Sequence, residues 1–487
     1  MASIEELRND RLKKRKILEE KGINPYPAQC NRTHTIAEFR SDFDTLAHSH
    51  ETVVIAGRVM SKRGQGGLAF CDVFDGTGKA QILLKSDEMD AALYTLFNDT
   101  VDVGDFVEVS GSAYVTKRGE QSLFVQQWNM LTKSLRPIPD SWFGIEDTEE
   151  RLRKRYLDIL QSDELRDLFV KKARFWQSAR TFLIQEGFLE VETPVLENTT
   201  GGADARPFET HHNALDIDVY LRISAGELWQ KRLMVAGYPK TFEIGRIFRN
   251  EGMSAEHLQD YTQLEFYWGY ADYQKGMDLV ERMYRHIAKE TFGTLQFTIG
   301  RFDIDLGASW ERYDYTETIK KYADIDIASA DIKEIEKKLT SLTVEYDTKG
   351  WNKSRAIDAL WKYCRKQIAG PGFLVGVPKE LSPLAKSNPN NPTITERFQP
   401  IIAGSELGNG YSELNDPVDQ AERFAAQAKL RQEGDEEAQM EDTEFVEALE
   451  YGMPPTCGFG MSERVFAFLA NKSIRDTQLF PLLKPRE

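Results

Sequence analysis

The spacing of hydrophobic and polar residues changes twice in the first third of the chain. Residues 5–21 have the spacing of a helix, and residues 22–50 are rich in proline and polar side chains, which predicts a connecting stretch. Short β-rich runs follow, with a helical insert near residues 87–98. The predicted strands are 52–59, 68–74, 80–84, 106–115 and 123–131. This pattern fits an OB-fold barrel, although any small five-stranded barrel would fit it too.

From about residue 166 onward, helical and strand patterns alternate to the end of the chain. A strand is predicted at 188–194, and residues 310–370 show helices with little motif content. Further helices are predicted at 166–187, 275–293, 417–432, 441–451 and 463–470. The patterns divide the chain into four parts. These are a helix and connector (1–50), a barrel (51–135), a linker that leads into a helix (136–165) and a larger domain (166–487).

Composition narrows the class of protein. A chain of 487 residues with 41% hydrophobic residues predicts a globular protein of two or three domains. It has no apolar run of about 18 residues and no apolar segment near its charged N-terminus, so neither a membrane span nor a secretory signal is expected. The four cysteines are far apart and form no CxxC pair, which disfavours a zinc site or a disulfide framework. A reducing, cytoplasmic location is therefore predicted.

The net charge of −16 disfavours non-specific binding to nucleic acid but leaves room for a local basic surface. One basic cluster lies on the first predicted helix, between Arg11 and Lys16. It predicts either a binding surface or a solvated helix face balanced by Glu19 and Glu20.

Several catalytic classes lack their motifs here. The chain has no GxGxxG, no P-loop, no HExxH, and no serine or cysteine in a nucleophile-elbow context. Covalent catalysis by a side chain is therefore not favoured. Catalysis by placing charge against a phosphate remains, and it requires fixed cations and carboxylates.

Residues 242–269 predict two strands joined by a long polar loop. The first strand carries Arg249 and Glu251, and the second carries Glu265 and Tyr267. Side chains two apart on a strand share a face, so one surface presents a guanidinium, two carboxylates and a phenol. That set suits a small substrate with one anionic and one cationic end. A surface hairpin with solvated charges is the alternative, but the intervening apolar residues favour a largely buried sheet.

Arg464 lies in the first turn of the last predicted helix. A cation there opposes the helix dipole, so a bound anion is expected beside it. The alternative is a local salt bridge with Glu463.

A third cluster combines a possible metal site with a strand face. Asn409, Tyr411 and Glu413 have the same parity, so they share a face on a strand, whereas Glu406 has the opposite parity. Glu406 and Glu413 can hold one metal ion only if a bulge interrupts the strand near Gly408. Carboxylate oxygens suit Mg²⁺, which also bridges phosphates.

The segment Phe-Arg-Asn-Glu at 248–251 resembles motif 2 of the class II aminoacyl-tRNA synthetases. The surrounding sequence is similar to the lysyl branch over nearly the whole chain. This resemblance implies an α+β fold, with an OB-fold anticodon-binding domain followed by a catalytic domain built on an antiparallel sheet flanked by helices. It also implies ATP as a substrate, Mg²⁺ as a cofactor, L-lysine and tRNA(Lys) as partners, a homodimer, and no membrane association. The implied reaction forms lysyl-adenylate, releases pyrophosphate and transfers lysine to the 3′ end of the tRNA.

The resemblance also implies residue roles. Arg249 and Arg464 would be catalytic, Pro194 would lie at the dimer interface, and Glu406 and Glu413 would hold the metal. The implied ATP-binding residues are Arg249, Glu251, His257, Tyr261, Glu406 and Arg464. The implied lysine-binding residues are Gly202, Glu227, Arg249, Glu265, Tyr267, Asn409, Tyr411 and Glu413. The implied anticodon-binding residues are Arg58, Arg63, Phe70 and Gln81.

One departure from the family pattern bears on the metal, because Gln399 stands where the family usually has a glutamate ligand. Three alternatives are also open. The first is an aspartyl or asparaginyl enzyme of the same subclass. The second is a truncated relative that lysylates a protein, although such relatives lack the barrel predicted here. The third is a non-catalytic nucleic-acid-binding module.

Overall fold

The computed structural model describes residues 3–139, 147–203, 205–252, 257–346, 352–432 and 440–486. The chain forms two compact units, Met1–Arg151 and Leu152–Glu487.

The first unit contains a closed five-stranded barrel with strand order β1-β2-β3-β5-β4. Its strands are β1 Val53–Gln65, β2 Leu68–Phe74, β3 Lys79–Lys85, β4 Phe106–Val115 and β5 Gln121–Thr132. Its helices are α1 Ile4–Glu20, α2 Ile36–Ser41, α3 Phe43–Ser49 and α4 Ala91–Thr100. Along β2 the side chains alternate between half-buried and buried, as expected for a strand with one face on the core. The predicted barrel and its inserted helix are confirmed.

The connecting stretch predicted at 22–50 is wrong in its second half, which forms α2 and α3. Thr35 begins α2 with a capping box, in which its side chain and that of Glu38 each accept a backbone N–H of the other residue. The two helices bury Phe39 and Phe43 in the barrel core. Burial of these two rings, rather than helix propensity, explains why such short helices form.

The basic residues of α1 mostly attach this helix to its own unit. Arg11 is buried and donates to Ser134 Oγ and the Val103 carbonyl at 2.5 and 2.9 Å. Lys14 Nζ lies 2.7 Å from Asp102 Oδ1. Farther along the helix, the lysine and arginine side chains pair with Glu19 and Glu20, as the solvated-face alternative describes.

The second unit is built on a nine-stranded, mostly antiparallel sheet of order β14-β15-β18-β20-β21-β11-β10-β6, with β19 paired to β18. Helices α7 (Asp163–Gln185) and α9 (Tyr273–Phe292) pack on it, and their side chains Phe175, Leu183 and Met283 share one core with Phe266 and Phe459 of the sheet. Its strands are β6 Leu189–Glu190, β7 Leu196–Glu197, β8 Glu209–His212, β9 Ile217–Leu221, β10 Lys240–Phe248, β11 Asp260–Gly269, β12 Gln296–Ile299, β13 Phe302–Asp305, β14 Glu311–Asp314, β15 Gly372–Val375, β16 Ser387–Asn388, β17 Asn391–Thr395, β18 Arg397–Ile402, β19 Ser405–Glu406, β20 Asn409–Ser412 and β21 Thr456–Ser462. The α+β fold predicted from the resemblance is confirmed.

The helices of this unit lie close to their predicted positions, except α8 (Glu227–Val235), which the sequence patterns did not predict. They are α6 Arg155–Gln161, α7 Asp163–Gln185, α8 Glu227–Val235, α9 Tyr273–Phe292, α10 Tyr315–Ala323, α11 Ile332–Ser341, α12 Lys353–Arg365, α13 Pro417–Gln432, α14 Thr443–Glu450 and α15 Arg464–Leu469, and α5 Thr148–Arg153 precedes them. The strand predicted at 188–194 is shorter than expected, since only Leu189–Glu190 pairs with β10. Part of the predicted linker, residues 140–146, lies outside the described residues.

Candidate active site

A cavity of about 300 Å³ opens in the second unit over strands β11, β20 and β21. All eight residues that the sequence assigned to lysine binding line it. They are Gly202, Glu227, Arg249, Glu265, Tyr267, Asn409, Tyr411 and Glu413. The residues predicted to share a face in the second strand of the hairpin (Glu265 and Tyr267) and in the 409–413 segment (Asn409, Tyr411 and Glu413) therefore line one cavity, because β21 pairs with both β11 and β20.

Glu265 and Tyr267 lie on β11 with their side chains almost fully buried. Tyr267 donates its hydroxyl to Glu265 Oε2 at 3.1 Å. The other carboxylate oxygen accepts the Ala225 amide and the Gln263 side-chain amide, both at 2.8 Å. Burial, followed by the like charge of Glu227, raises the pKa of Glu265 to about 8.

Glu227 and Glu413 meet at a buried lysine that the sequence analysis did not single out. Lys231 Nζ lies 2.7 Å from Glu227 Oε1 and 2.5 Å from Glu413 Oε2. Tyr411 donates its hydroxyl to the same oxygen of Glu227. Burial raises the pKa of Glu413 to about 8, although the positive charge of Lys231 opposes that rise. For Lys231, burial works to lower the pKa, but the two carboxylates outweigh it and raise the pKa.

Two glycines of β21 form part of the cavity wall. Gly458 lies opposite Tyr267 on β11 and Tyr411 on β20, so pairing fixes its backbone from both sides. A Cβ at this position would lie 2.0 Å from Glu413 Oε1. A Cβ at Gly460 would lie 3.2 Å from Glu265 Cγ. The absence of a side chain at these positions therefore leaves room for the acidic side chains of the site.

The strand assignment of Arg249 and Glu251 is wrong, because β10 ends at Phe248. The Arg249 amide still donates to the Gln259 carbonyl at 2.7 Å, so the backbone remains paired for one residue after the strand. Arg249 lines the cavity and donates its Nε to the Ile223 carbonyl at 3.3 Å. Glu251 is half-buried and lies outside the cavity lining.

The remaining residues assigned to ATP lie outside this cavity lining. Tyr261 has its ring centre 5.8 Å from Arg249 Cζ, and burial raises the pKa of its hydroxyl. His257 is exposed on the loop between β10 and β11. Arg464 begins α15 as predicted, donating to Ser405 Oγ at 3.1 Å and to the Glu406 carbonyl at 3.3 Å.

Glu463 does not form the local salt bridge with Arg464 that was the alternative for this position. Its carboxylate is buried and pairs with Lys172 of α7, and it also accepts the Thr262 amide at 3.3 Å. Glu463 therefore ties the start of α15 to β11 and α7.

The two carboxylates predicted to share a metal ion, Glu406 and Glu413, have different partners in the structure. The strand is interrupted between β19 and β20, as the prediction required, but Glu406 and Glu413 line different cavities. Glu413 is paired with Lys231, whereas Glu406 accepts the indole N–H of Trp361. Across the described ranges, no three or more His, Cys, Asp or Glu side chains cluster as a metal site. The ion pair with Lys231 therefore disfavours Glu413 as a metal ligand.

On the barrel, three of the four residues assigned to anticodon binding form one outward-facing patch. Arg63 on β1 lies opposite Phe70 on β2. Two residues along β2, Asp72 lies opposite Gln81 on β3. Cross-strand partners share a face, so these side chains lie side by side. Arg58 instead stacks over Phe106, at 4.2 Å from its ring centre, and donates to the Gly104 carbonyl.

Comparisons with known proteins agree with this architecture. Residues 147–484 match the family model described as tRNA synthetases class II (D, K and N). Residues 53–131 match the model described as OB-fold nucleic acid binding domain. The chain is 43% identical to a lysine–tRNA ligase of Thermotoga maritima, over 99% of this chain and 97% of that protein. It is 42% identical to a lysine–tRNA ligase of Roseiflexus castenholzii, over 99% of this chain and 100% of that protein.

The chain belongs to the lysine–tRNA ligase family of class II aminoacyl-tRNA synthetases.

In this synthetase, sequence reasoning missed two cations of the site. Lys231 follows Glu227 by four residues on α8, a spacing that ordinarily indicates a surface ion pair. Arg397 lines the cavity and donates to Asn409 Oδ1 at 2.8 Å and to the Leu381 carbonyl at 2.7 Å. Arg397 on β18 lies opposite Tyr411 on β20, and the sequence alone does not show which residues of two strands lie opposite each other.

Other features bear on assembly and location. Pro194 is exposed and precedes the exposed side chains of Val195 and Leu196. The four cysteines are free thiols. In the part of the chain that the structure describes, no helix has the length and apolar character needed to cross a membrane.

Proposed function

We propose that this chain is a lysine–tRNA ligase, which activates L-lysine with ATP and transfers it to the 3′ end of tRNA(Lys). The observation that carries this proposal is the cavity at β11, β20 and β21, which three glutamates and two arginines line. Lysine has two ammonium groups and one carboxylate, so its charges are complementary to that set. The full-length similarity to lysine–tRNA ligases supports the same conclusion.

The positions of the side chains suggest how lysine would be held. Glu265, Tyr267 and Glu413 would bind the ε-ammonium, and Gly202 with Glu227 would bind the α-ammonium. Asn409 and Tyr411 would line the pocket, and Arg249 would contact the carboxylate of the substrate lysine. Because buried carboxylates are costly to leave unpaired, an amino acid without a terminal cation would be rejected.

In the first step, a lysine carboxylate oxygen forms a bond to the α-phosphorus of ATP. The bond to the bridging oxygen breaks, and pyrophosphate leaves with that electron pair. Arg249 would stabilise the charge that develops on the α-phosphate, and Arg464 would hold the γ-phosphate. We assign Glu251, His257 and Tyr261 to contacts with the rest of the nucleotide.

In the second step, the hydroxyl of the tRNA terminal adenosine attacks the lysyl carbonyl carbon. The bond to AMP breaks, and the hydroxyl proton leaves with the AMP phosphate or passes to water. The acidic pocket would keep the lysine side chain fixed during this transfer.

Magnesium would enter as the ion carried by ATP. Glu406 and Gln399 line one cavity, so a carboxylate and an amide oxygen are available on the same side. Since Glu406 already accepts from Trp361, these two groups fit an ion that takes most of its ligands from phosphate and water. Such an ion would neutralise phosphate charge when bound.

The outward-facing barrel patch of Arg63, Phe70 and Gln81 is proposed to bind anticodon bases. An aromatic ring beside polar groups suits stacking plus base-edge hydrogen bonds. Arg58 would contribute through its packing on Phe106, which supports the neighbouring strand.

The chain is also proposed to act as a homodimer in the cytoplasm. An exposed apolar segment that follows Pro194 supports association, because exposed hydrophobic clusters commonly mark interfaces. The free thiols suit a reducing compartment.

ATP–pyrophosphate exchange tests the proposal, with lysine, aspartate and asparagine supplied separately. Lysine-dependent exchange is expected, and exchange with aspartate or asparagine alone would establish the rival enzyme of this subclass. A chain that shows no ATP turnover with any of the three would instead be a binding module. The variant Gln399→Glu is expected to lower the Mg²⁺ concentration required, because a carboxylate is the stronger ligand.

A further inference from the structure

Lys231 is buried behind the acidic side chains of the cavity. Its side chain is 1% exposed, and it is absent from the described residues that line the cavity. It lies one helical turn after Glu227 on α8 and reaches across to Glu413, which follows β20. The ammonium therefore supports the cavity wall from behind without reaching the substrate space.

Three aromatic rings surround this ammonium. The ring centres of Tyr411, Phe445 and Tyr267 lie 5.5, 5.9 and 6.0 Å from Lys231 Nζ. Rings at such distances attract a cation through their electron-rich faces. The site therefore provides both ion pairs and aromatic faces for the charged form of Lys231.

The charges at this end of the cavity can be counted. Glu227, Glu265 and Glu413 line the cavity, and Lys231 forms ion pairs with two of them. Three carboxylates and one ammonium leave two negative charges. Arg249 and Arg397 also line the cavity and carry positive charges, but neither forms an ion pair with these three glutamates; their hydrogen bonds go to neutral carbonyl and amide oxygens.

We propose that Lys231 is a positioning residue that sets the charge at this end of the pocket, so that two carboxylate charges without a directly paired cation face the two ammonium groups of one diamino acid. This inference rests on the proposed function. Lys231 holds the Glu227 and Glu413 carboxylates at one ammonium, and its charge opposes the protonation of Glu413. Without it, three buried carboxylates would repel one another, and one of them would take up a proton. The protonated pocket would then attract the two ammonium groups of the substrate less strongly.

The titratable groups that face this cluster come from several elements. The carboxylates are Glu227 of α8, Glu265 of β11 and Glu413, which follows β20. The other groups that can lose a proton are Tyr267 of β11, Tyr411 of β20 and Cys457 of β21. The nearby cations are Arg249 and Arg397, which act on Glu265 and Tyr411 respectively. Removing the charge of Lys231 would raise the pKa of Glu413 further, so the ionised pocket would form only at higher pH.

The test measures the KM for lysine and for ATP between pH 6 and 9, by exchange, in the full chain and in Lys231→Met. The substitution keeps an unbranched side chain, one atom shorter than lysine, and removes the charge. At pH 7 the KM for lysine is expected to rise about tenfold or more, since one pKa unit changes the ionised fraction by about that factor. The rise is expected to shrink as the pH increases, while the KM for ATP stays within about twofold. Lys231→Arg, which keeps the charge, is expected to keep the pH profile.

Lys133→Met provides a matched control. Lys133 is fully buried and pairs with Asp102 and Asp105 at 2.6 and 2.7 Å, but it lies in the barrel unit. Its loss should lower stability without moving the pH profile of the KM for lysine. A folded Lys231→Met with an unchanged profile, or a parallel change in both KM values at every pH, would overturn the proposal.

Two further outcomes separate the possible failures. If the unaltered chain shows no lysine-dependent exchange, the proposed function fails before Lys231 is tested. If Lys231→Met does not fold, the charge of Lys231 is measured by NMR in the unaltered chain with ¹⁵N-labelled lysine side chains. A charged Lys231 both with and without substrate is expected, and a neutral Lys231 at pH 7 would overturn the proposal.

Discussion

Replacing Gly458 by alanine should damage lysine binding more than the same change at Gly460, the other glycine of β21 in the cavity wall. The added Cβ would lie 2.0 Å from Glu413 Oε1 and 2.6 Å from Tyr267 Cε1. The backbone of Gly458 cannot retreat, because β21 is paired on both sides. The Glu413 carboxylate would therefore have to turn away from Lys231, which lies 2.5 Å from its other oxygen.

The size of the effect follows from the contacts. Overpacking a close-packed site costs about 1–3 kcal/mol, which corresponds to a loss of roughly 5- to 150-fold in lysine affinity. Gly460→Ala should do less, because its nearest neighbours, in Gln263 and Glu265, are 3.2 Å away. Gly64→Ala in the barrel should do least, since its nearest neighbour is 3.8 Å away.

Exchange kinetics in the three alanine variants would measure this order. The KM for lysine should rise most in Gly458→Ala, less in Gly460→Ala and not in Gly64→Ala, with little change in the KM for ATP. Thermal unfolding of each variant checks that it is folded. A folded Gly458→Ala with an unaltered KM for lysine, or a larger effect at Gly460, would refute the steric reasoning.

Three further outcomes are expected. The increase in Tm caused by a fixed lysine concentration should be larger at pH 8 than at pH 6. Glu265 and Glu413 have pKa values of about 8, so both are protonated at pH 6 in the empty pocket, and the empty protein loses stability as the pH rises and they ionise. Lysine binds the ionised pocket, so it stabilises the protein more at pH 8. A Tm increase that becomes smaller with rising pH would contradict this. Arg222→Met should lower the free energy of unfolding by about 3–5 kcal/mol in urea titrations, because it leaves the buried Glu243 without the guanidinium 2.5 Å away; a loss below 1 kcal/mol would count against it. Arg249→Ala should slow adenylate formation by about 10²–10³, measured in single turnovers, since one preorganised donor is lost; an unchanged rate would remove Arg249 from that role.

Features that depend on local strand geometry could be predicted from the sequence. Glu265 and Tyr267 are two residues apart on one strand, and they share a face as expected. The same holds for Asn409 and Tyr411, which also line the cavity. The alternation of a strand is a property of its backbone, so it survives whatever the rest of the chain does.

Features that depend on where a strand ends, or on what packs behind it, could not be predicted in the same way. Parity placed Arg249 and Glu251 together, but β10 stops at Phe248 and only Arg249 reaches the cavity lining. Parity and the bulge allowed Glu406 and Glu413 to share an ion, but burial beside Lys231 commits Glu413 to another partner. Tertiary packing decided both outcomes.

The position of β21 in the sheet has a consequence for how the protein is made. This strand is the last of the described strands in sequence, yet it lies between β20 and β11 in the middle of the large sheet. About 190 residues separate β11 from β21 along the chain. At typical translation speeds a ribosome needs roughly 10–40 s to synthesise that length. During that interval the nascent chain carries β10 and β11 with one edge unpaired, and later β18 and β20 with another.

Each of those edges displays open backbone hydrogen-bonding groups until β21 emerges and joins them. The lysine pocket therefore arises in one late event, because β21 supplies both the pairing and the two glycines that leave room for the acidic side chains. A message that ends before this strand would yield a polypeptide with most of its helices and a complete barrel but two unjoined half-sheets. Chaperones and proteases act on chains with such exposed edges, so a chain that lacks β21 is expected to be degraded rather than to accumulate.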